Sequence, residues 1–395
     1  MKFLIYLLIF SSLCYAEAPV LYLTGDPYSR GLQHGKALKD KIHANLKGFI
    51  DNPNVKKNAR AEAFAKQTPQ ILKSIPEHFI EEMHGVAAGA EVPFKKILML
   101  NLFPEMFHCT GIGVQGAATH DGSLYHVRVL DYGVGKNLQN SAVLMVVKPK
   151  QKHAYMSVGY AGFIGTITGM NEKKIAIGEI GGEGYGYWEG VPMAFLMREI
   201  LETCDTLEKA KDLIHKTPRT CEYYYVLSDG NQETIVGIYA TPDQLKFIEA
   251  GENYALLAPH HLPKNYGDCG ENDKFFLTDY KTYHSDSQIR FHNRSNQLIA
   301  LFNQQPKDCI VLRGFGHPDR YPITVDRIQD SYGSIDHSAL QNIIKPPVTN
   351  QTNLHNAIFH PSTLDAWISH ASSEGSPASL QPYTHVNLKD LLNQF

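Results

Sequence analysis

The feature that most constrains this chain is a change of hydrophobic period at residue 109. Before it, apolar and small residues recur at helical spacing: Leu32, Gly35, Leu38 and Ile42, then Phe79, Met83 and Val86, then Ile97, Leu98 and Leu100. Helices are therefore expected from Arg30 to about Phe49, from Pro76 (a residue suited to a first helical turn), and from Pro93 to about Leu102. A short strand, Val20 to Thr24, and the turn Asp26-Pro27-Tyr28-Ser29 precede them. From Cys109 onward the apolar runs have strand length and are parted by turn residues. Thr110 to Thr119 and Ser123 to Leu130 flank His120-Asp121-Gly122, a hairpin signal. Ser141 to Val147 and Ala154 to Tyr160 are further strands. Ile164 to Met170 pairs with Lys174 to Ile180 around Asn171-Glu172-Lys173, and Tyr223 to Leu227 with Thr234 to Tyr239 around Asp229-Gly230-Asn231. Met193 to Leu201 and Leu207 to Ile214 read as helices. Beyond Ala250 the chain is looser and rich in His, Asn, Pro and Tyr, with closing strands expected at Ala357-Ile358-Phe359 and Ala366-Trp367-Ile368. Antiparallel hairpins with a few helices imply an α+β fold, its helices packed outside stacked sheets.

The first residues carry an address. Lys2 is followed by an unbroken apolar run, Phe3 to Phe10, and Cys14-Tyr15-Ala16 puts small residues at the −3 and −1 positions of a cut. Residues 1–16 are thus expected to be a secretory signal peptide, too short to stay as a stable membrane anchor. The mature protein is expected to be secreted or periplasmic, or lysosomal in a eukaryote. In such a compartment Cys204, Cys221, Cys269 and Cys309 could pair into two disulfides and leave Cys109 free; the alternative is that all five are buried thiols. Asn293-Arg294-Ser295 and Asn350-Gln351-Thr352 are glycosylation sequons.

Several chemistries find no support. The net charge is −3 with no basic run, so a nucleic-acid partner is not expected. Gly111-Ile112-Gly113-Val114-Gln115-Gly116 has the lettering of a dinucleotide loop, but a hairpin follows where a helix is needed, so no cofactor is expected. His260-His261 has no second ligand pair at zinc spacing, so no metal is expected either.

Cys109-Thr110 stands where helix gives way to hairpin, with Arg128 and Asp131 on the returning strand. If Cys109 became an N-terminal residue, its own α-amine, with a pKa of about 7.7–8, could take the thiol proton. A guanidinium nearby would favour the thiolate, and a carboxylate could orient the amine or hold the guanidinium. Arg128 and Asp131 are three apart, so a straight strand directs them to opposite faces, and both reach one site only if the strand ends or bends by Asp131.

These pieces, in this order, resemble the acyl-CoA:6-aminopenicillanic acid acyltransferase family, the C45 peptidase group of N-terminal nucleophile hydrolases. The resemblance is carried by Ser29-Arg30-Gly31-Leu32-Gln33-His34-Gly35, Gly85 to Ala90 with Asn101, Cys109-Thr110, Asp121-Gly122 and Val127-Arg128-Val129-Leu130-Asp131-Tyr132. It continues through Gly190-Val191-Pro192, Arg198, Leu201, Ser228-Asp229-Gly230 and Asn353 to Phe359. The Arg-x-x-Asp strand is shared with the related choloylglycine hydrolase and penicillin V acylase group. The resemblance implies a four-layer αββα sandwich and a precursor cut between His108 and Cys109, giving a mostly helical chain 17–108 and a catalytic chain 109–395. It implies Cys109 as nucleophile, with Arg128 and Asp131 as positioning groups. Relatives often carry Gly before the nucleophile, where this chain has His108, and an oxyanion Asn where this chain has Tyr224; Asn171 is a second oxyanion candidate. The implied activity is hydrolysis of a small or lipid-like N-acyl amide through a thioester. Acyl transfer to an amine and a non-catalytic binding protein of the same fold are the alternatives. Tyr185, Tyr187, Trp188, Tyr223, Tyr224 and Tyr225 are expected to line an apolar acyl pocket or to fill the core.

Overall fold

The computed structural model describes residues 18–52, 59–102, 108–132, 134, 137–181, 188–221, 223–252, 305–313 and 320–395. Its first strand, β1 (Val20–Gly25), leads into α1 (Pro27–Ala37). Asp26 caps that helix by accepting the Ser29 backbone N–H at 2.8 Å, and Pro27 fills a first-turn position whose N–H would be orphaned anyway. The single helix expected to about Phe49 is broken at Leu38: α2 (Lys39–Asn45) follows, then a π-helical turn, Leu46–Ile50. Next come α3 (Ala59–Leu72), which the sequence did not announce, α4 (Glu77–Ala90) and α5 (Phe94–Leu102). Pro76 is the N-cap of α4 rather than its first residue. Helices α1 and α4 touch backbone to backbone: a Cβ on Gly31 would lie 2.0 Å from the Glu82 carbonyl oxygen, and one on Gly85 2.2 Å from that of Tyr28. That contact explains the glycine spacing on both helices.

The hairpin strands are β2 (His108–Gly116), β3 (Gly122–Asp131), β4 (Ala142–Pro149), β5 (Tyr155–Tyr160), β6 (Thr168–Asn171) and β7 (Ile175–Gly181). Helices α6 (Met193–Thr203) and α7 (Leu207–Lys216) precede β8 (Tyr223–Asp229), β9 (Thr234–Ala240) and β10 (Leu245–Glu249). The C-terminal part adds β11 (Cys309–Arg313), α8 (Arg320–Asp330), α9 (His337–Ile343), β12 (Asn353–His360), β13 (Asp365–His370), β14 (Thr384–Asn387) and α10 (Leu388–Leu392). Of these, β12 and β13 are the closing strands expected from the sequence.

Two sheets result. One has the order β1-β4-β5-β6-β7-β8-β9-β10, with β1 parallel to β4; the other has the order β11-β2-β3-β12-β13-β14. They meet face to face. Gly111 and Gly113 of β2 leave room that Ile180, Val226 and Ile235 fill from the other sheet: a Cβ on Gly113 would stand 2.1 Å from Ile235 Cδ1. Helices α4 to α7 join the core of the eight-stranded sheet. Helices α8 and α9 cover the outer face of the six-stranded sheet, where Ile112, Val114, Val127 and Val129 pack with Tyr321, Val325, Ile328 and Leu340. Helix, sheet, sheet, helix is the four-layer α+β sandwich.

The expectation of two disulfides is overturned. Cys204 caps α6 and Cys309 opens β11, in separate apolar clusters, and both are free thiols. With those two unpaired, four cysteines cannot make two bridges. Cys269, His260-His261, Asn293 and residues 1–16, expected to be a signal peptide, lie outside the described residues.

Candidate active site

The ladder between β2 and β3 sets the geometry: His108 faces Asp131, Cys109 faces Leu130, and Gly111 faces Arg128. Alternation puts Cys109, Gly111 and Gly113 on one face of β2, the face buried against the eight-stranded sheet. Arg128 points to the same inter-sheet layer, its Cγ 3.1 Å from where a Cβ on Gly178 would stand. Its Nη2 donates to Glu179 Oε2 of β7 at 3.0 Å, with both side chains fully buried. Nε and Nη1 of Arg128 have no hydrogen-bond partner among the described residues. A buried guanidinium with two unspent donors is suited to meet an acceptor oxygen. Cys109 is fully buried, and burial pushes its thiol up to about 12 against the opposing pull of the Arg128 charge. In the uncut chain the thiol is therefore protonated.

Asp131 behaves differently. Strand β3 ends at Asp131, but Asp131 is still in register opposite His108, so the strand's end does not turn it inward and its carboxylate faces the outer helical layer. There it pairs with Arg320, the first residue of α8, and Oδ1 accepts the Asn350 backbone N–H at 3.1 Å. Arg320 Nη2 also donates to Thr110 Oγ1 at 3.0 Å, and Nε donates to the Val348 carbonyl at 2.6 Å. One guanidinium thus holds the residue after Cys109 and the residue opposite His108. Burial raises the Asp131 pKa, while Arg320 and the Asn350 N–H pull it down.

The two oxyanion candidates separate. Asn171 does not fit: both of its N–H groups are spent on the Leu201 and Cys204 carbonyls, and its oxygen accepts from the Lys173 and Ile175 N–H groups. It pins a hairpin tip to the end of α6, and no donor is left over. Tyr224 shares the inner face of β8 with Val226, which touches Gly111, and its ring lies 5.3 Å from that of Tyr239. Tyr223 and Tyr225 point to the other face, their rings 6.1 Å apart. Tyr185 and Tyr187 lie outside the described residues.

Three neighbours escaped the sequence reading. Glu179 carried a signal, a lone carboxylate inside the apolar run of β7. Arg320 carried none, since it comes from a stretch without clear period. His355 sits across Leu130 from Cys109 in the ladder of three strands. Its Nδ1 lies 2.9 Å from the Tyr160 hydroxyl and its Nε2 3.0 Å from Thr168 Oγ1. Burial and the Arg128 charge drive its pKa well below the ordinary histidine value, so the ring is neutral. Beside Tyr160 a pocket of about 20 Å³, with Phe163, Ile167, Val158 and Ala194 on its walls, offers room for roughly one water.

His78, Glu199 and Glu202 bring three ligand atoms within 4.8 Å of one another. Lys152 Nζ already stands among them, 2.7 Å from Glu202, 3.2 Å from Glu199 and 3.2 Å from His78, so an ammonium occupies the place a metal would take.

Comparison with known proteins adds the following. The family model described as acyl-coenzyme A:6-aminopenicillanic acid acyl-transferase matches residues 118–335, a span that includes Arg128 and Asp131 and begins after Cys109. The chain is 28% identical to Protein dcd1A of Dictyostelium discoideum, over 95% of this chain and 86% of that one. It is 29% identical to acid ceramidase of Homo sapiens, over 65% of this chain and 70% of that one. Among solved structures, the Caenorhabditis elegans ortholog of N-acylethanolamine-hydrolyzing acid amidase is similar with a TM-score of 0.43 and 15% identity, covering 64% of this chain and 93% of that one.

Proposed function

The chain belongs to the acyl-coenzyme A:6-aminopenicillanic acid acyl-transferase family, and from that premise we propose that it is a self-cleaving amide hydrolase with Cys109 as its N-terminal nucleophile. The coarser statement, an amide hydrolase or acyltransferase of the N-terminal nucleophile class, follows from the family itself. The observation that carries the finer one is the position of Cys109, at the mouth of β2, buried beside an Arg128 with unspent donors.

In the precursor the Cys109 thiol attacks the carbonyl carbon of residue 108. The C–N bond breaks, the Cys109 nitrogen keeps the electron pair and a proton, and a thioester remains. Water then hydrolyses that thioester, leaving a carboxylate on His108, a free thiol and a free α-amine. The new amine takes the thiol proton and the thiolate attacks a substrate amide. Arg128 meets the oxygen on which charge develops, a task for which its free Nε and Nη1 are suited. The amine half leaves with a proton, and water releases the acyl half as an acid. Asp131, held by Arg320, fixes the strand opposite the cut. Tyr224 is the remaining candidate for a second oxyanion donor. The substrate class is a small or lipid-like N-acyl amide, in line with what the names of acid ceramidase and the acid amidase say of those proteins. The leader, residues 1–16, sends the chain beyond the cytoplasm; no helix of the described residues is long and apolar enough to cross a membrane.

Amine release should be assayed on N-acyl amino acids, N-acyl amines, penicillins and bile-salt conjugates, with and without a competing amine. Release that vanishes in Cys109→Ala is expected. Product formed only when the acceptor is present would reassign the chain as an acyltransferase, and no release from protein shown to be cut at Cys109 would remove the substrate class.

A further inference from the structure

A second pocket, of about 370 Å³, is large enough for a small ligand group. Its walls include Trp188 and Arg219, with Gln67 from α3 and with Glu189 and Asp243, both exposed, at its rim. It lies beyond one particular end of the eight-stranded sheet. Gly113 sits over Ile235, and Gly111 over Ile180 and Val226. Stepping back along β2 to Cys109 therefore moves toward the end where β7 stops at Gly181, β8 starts at Tyr223 and β9 stops at Ala240. Trp188 follows that end of β7, Arg219 precedes β8, and Asp243 follows β9. Four residues of extended chain span at most about 14 Å, so Arg219 lies no further than that from the start of β8.

Arg219 is the unusual wall residue. It is 8% exposed, and backbone carbonyls alone hold it: Nε donates to Thr241 at 3.0 Å, and Nη1 to Ile214 at 2.6 Å and Thr217 at 3.3 Å. Two of those carbonyls close the C-terminus of α7, which accounts for one arm of the guanidinium. The second arm, Nη2, makes no hydrogen bond to a described residue and stays open to solvent, and the Asp243 carboxylate at the rim attracts the guanidinium from beyond ion-pair distance. An anion entering the pocket could take up that open arm with a charge-assisted hydrogen bond. The flat indole of Trp188 beside it offers an apolar wall.

We propose that this pocket binds the anionic end of the substrate's amine half, so that N-acyl amino acids are preferred over N-acyl amino alcohols; this rests on the Cys109 amide-hydrolase reading. Arg219 Nη2 donates to the carboxylate, Trp188 packs against the carbon next to it, and the acyl half extends toward Cys109. The exposed carboxylates of Glu189 and Asp243 at the rim oppose an entering anion and limit its affinity.

Two matched pairs test this on purified wild-type protein. The first pair, dodecyloxyacetate and 2-dodecyloxyethanol, cannot be hydrolysed and is measured by calorimetry. The second, N-dodecanoylglycine and N-dodecanoylethanolamine, is measured by turnover. The wild type should bind dodecyloxyacetate more tightly than the alcohol. Arg219→Gln should reduce that preference about tenfold to a hundredfold, and the glycine-to-ethanolamine ratio of kcat/KM should fall likewise, through KM. Asp243→Asn and Glu189→Gln should each raise the preference; both lie on the surface and keep the test open if Arg219→Gln does not fold. A wild type with no preference for the anion, or a preference that survives Arg219→Gln, overturns the proposal. Anion preference without hydrolysis of either amide would keep the pocket and sink the Cys109 reading. Hydrolysis of both amides with no Arg219-dependent preference would do the reverse.

Discussion

The two faces of strand β3 use charge in opposite ways. On the inner face Arg128 has one carboxylate partner, Glu179, and two donors without a hydrogen-bond partner among the described residues. On the outer face Asp131 is enclosed by Arg320 and the Asn350 N–H, and Arg320 is further tied to Thr110 and Val348. Both pairs are buried, so burial does not distinguish them. The number of committed donors does: among the described residues Arg320 leaves Nη1 alone without a hydrogen-bond partner, whereas Arg128 leaves both Nε and Nη1, so the outer pair is the better equipped to hold the strands in place and the inner pair keeps the greater capacity for something else.

Breaking each pair should therefore have different consequences. Arg320→Met leaves the Asp131 carboxylate buried without a counter-ion, held only by the Asn350 N–H, and should cost about 3–5 kcal/mol of stability. Without Arg320 the folded-state pKa of Asp131 rises further above its unfolded value. The penalty is then small below the unfolded pKa and grows as pH rises through the folded one. Thermal melts from pH 4 to pH 7 should show the deficit widening toward neutrality, and a pH-independent deficit would mean that the pair is not what is lost. On the inner face, Arg128→Ala should leave a folded protein whose turnover drops by about 10²–10³, with little rescue by Lys because the fork of donors is gone. Normal turnover in folded Arg128→Ala would make the two faces alike.

Asn171 sharpens the contrast from outside the site. With four hydrogen bonds at a hairpin tip, Asn171→Ala should cost about 1–3 kcal/mol in unfolding experiments and leave kcat near wild type. A fall in kcat with unchanged stability would return it to the oxyanion site. The smallest effect is expected at the thiols. Alkylation under denaturant without reductant should label Cys204 and Cys309, and failure to label either would restore a disulfide.

How much of this could be seen in the sequence depended on period. The β2–β3 hairpin and the switch at Cys109 were legible because alternation and a turn tripeptide mark them. So were the opposite faces of Arg128 and Asp131, since three residues of strand allow no other result without a bend. Helix α3 was missed, with Pro69 inside it as a breaker signal. Arg320 and His355 were not legible because their partners lie far away along the chain, 189 positions for Arg320 with Asp131 and 195 for His355 with Tyr160. Asn171 was ambiguous for a physical reason: an Asn at a hairpin tip and an Asn in an oxyanion hole look the same until its hydrogen bonds are counted.

The central claim is that Cys109 becomes an N-terminus. Intact mass and N-terminal sequencing of the purified protein test it most directly. Wild type should give two chains, one of them beginning Cys109-Thr110-Gly111, and Cys109→Ala should give one. A wild type that releases amine from its substrates while remaining a single uncut chain through residues 108 and 109 would contradict the account.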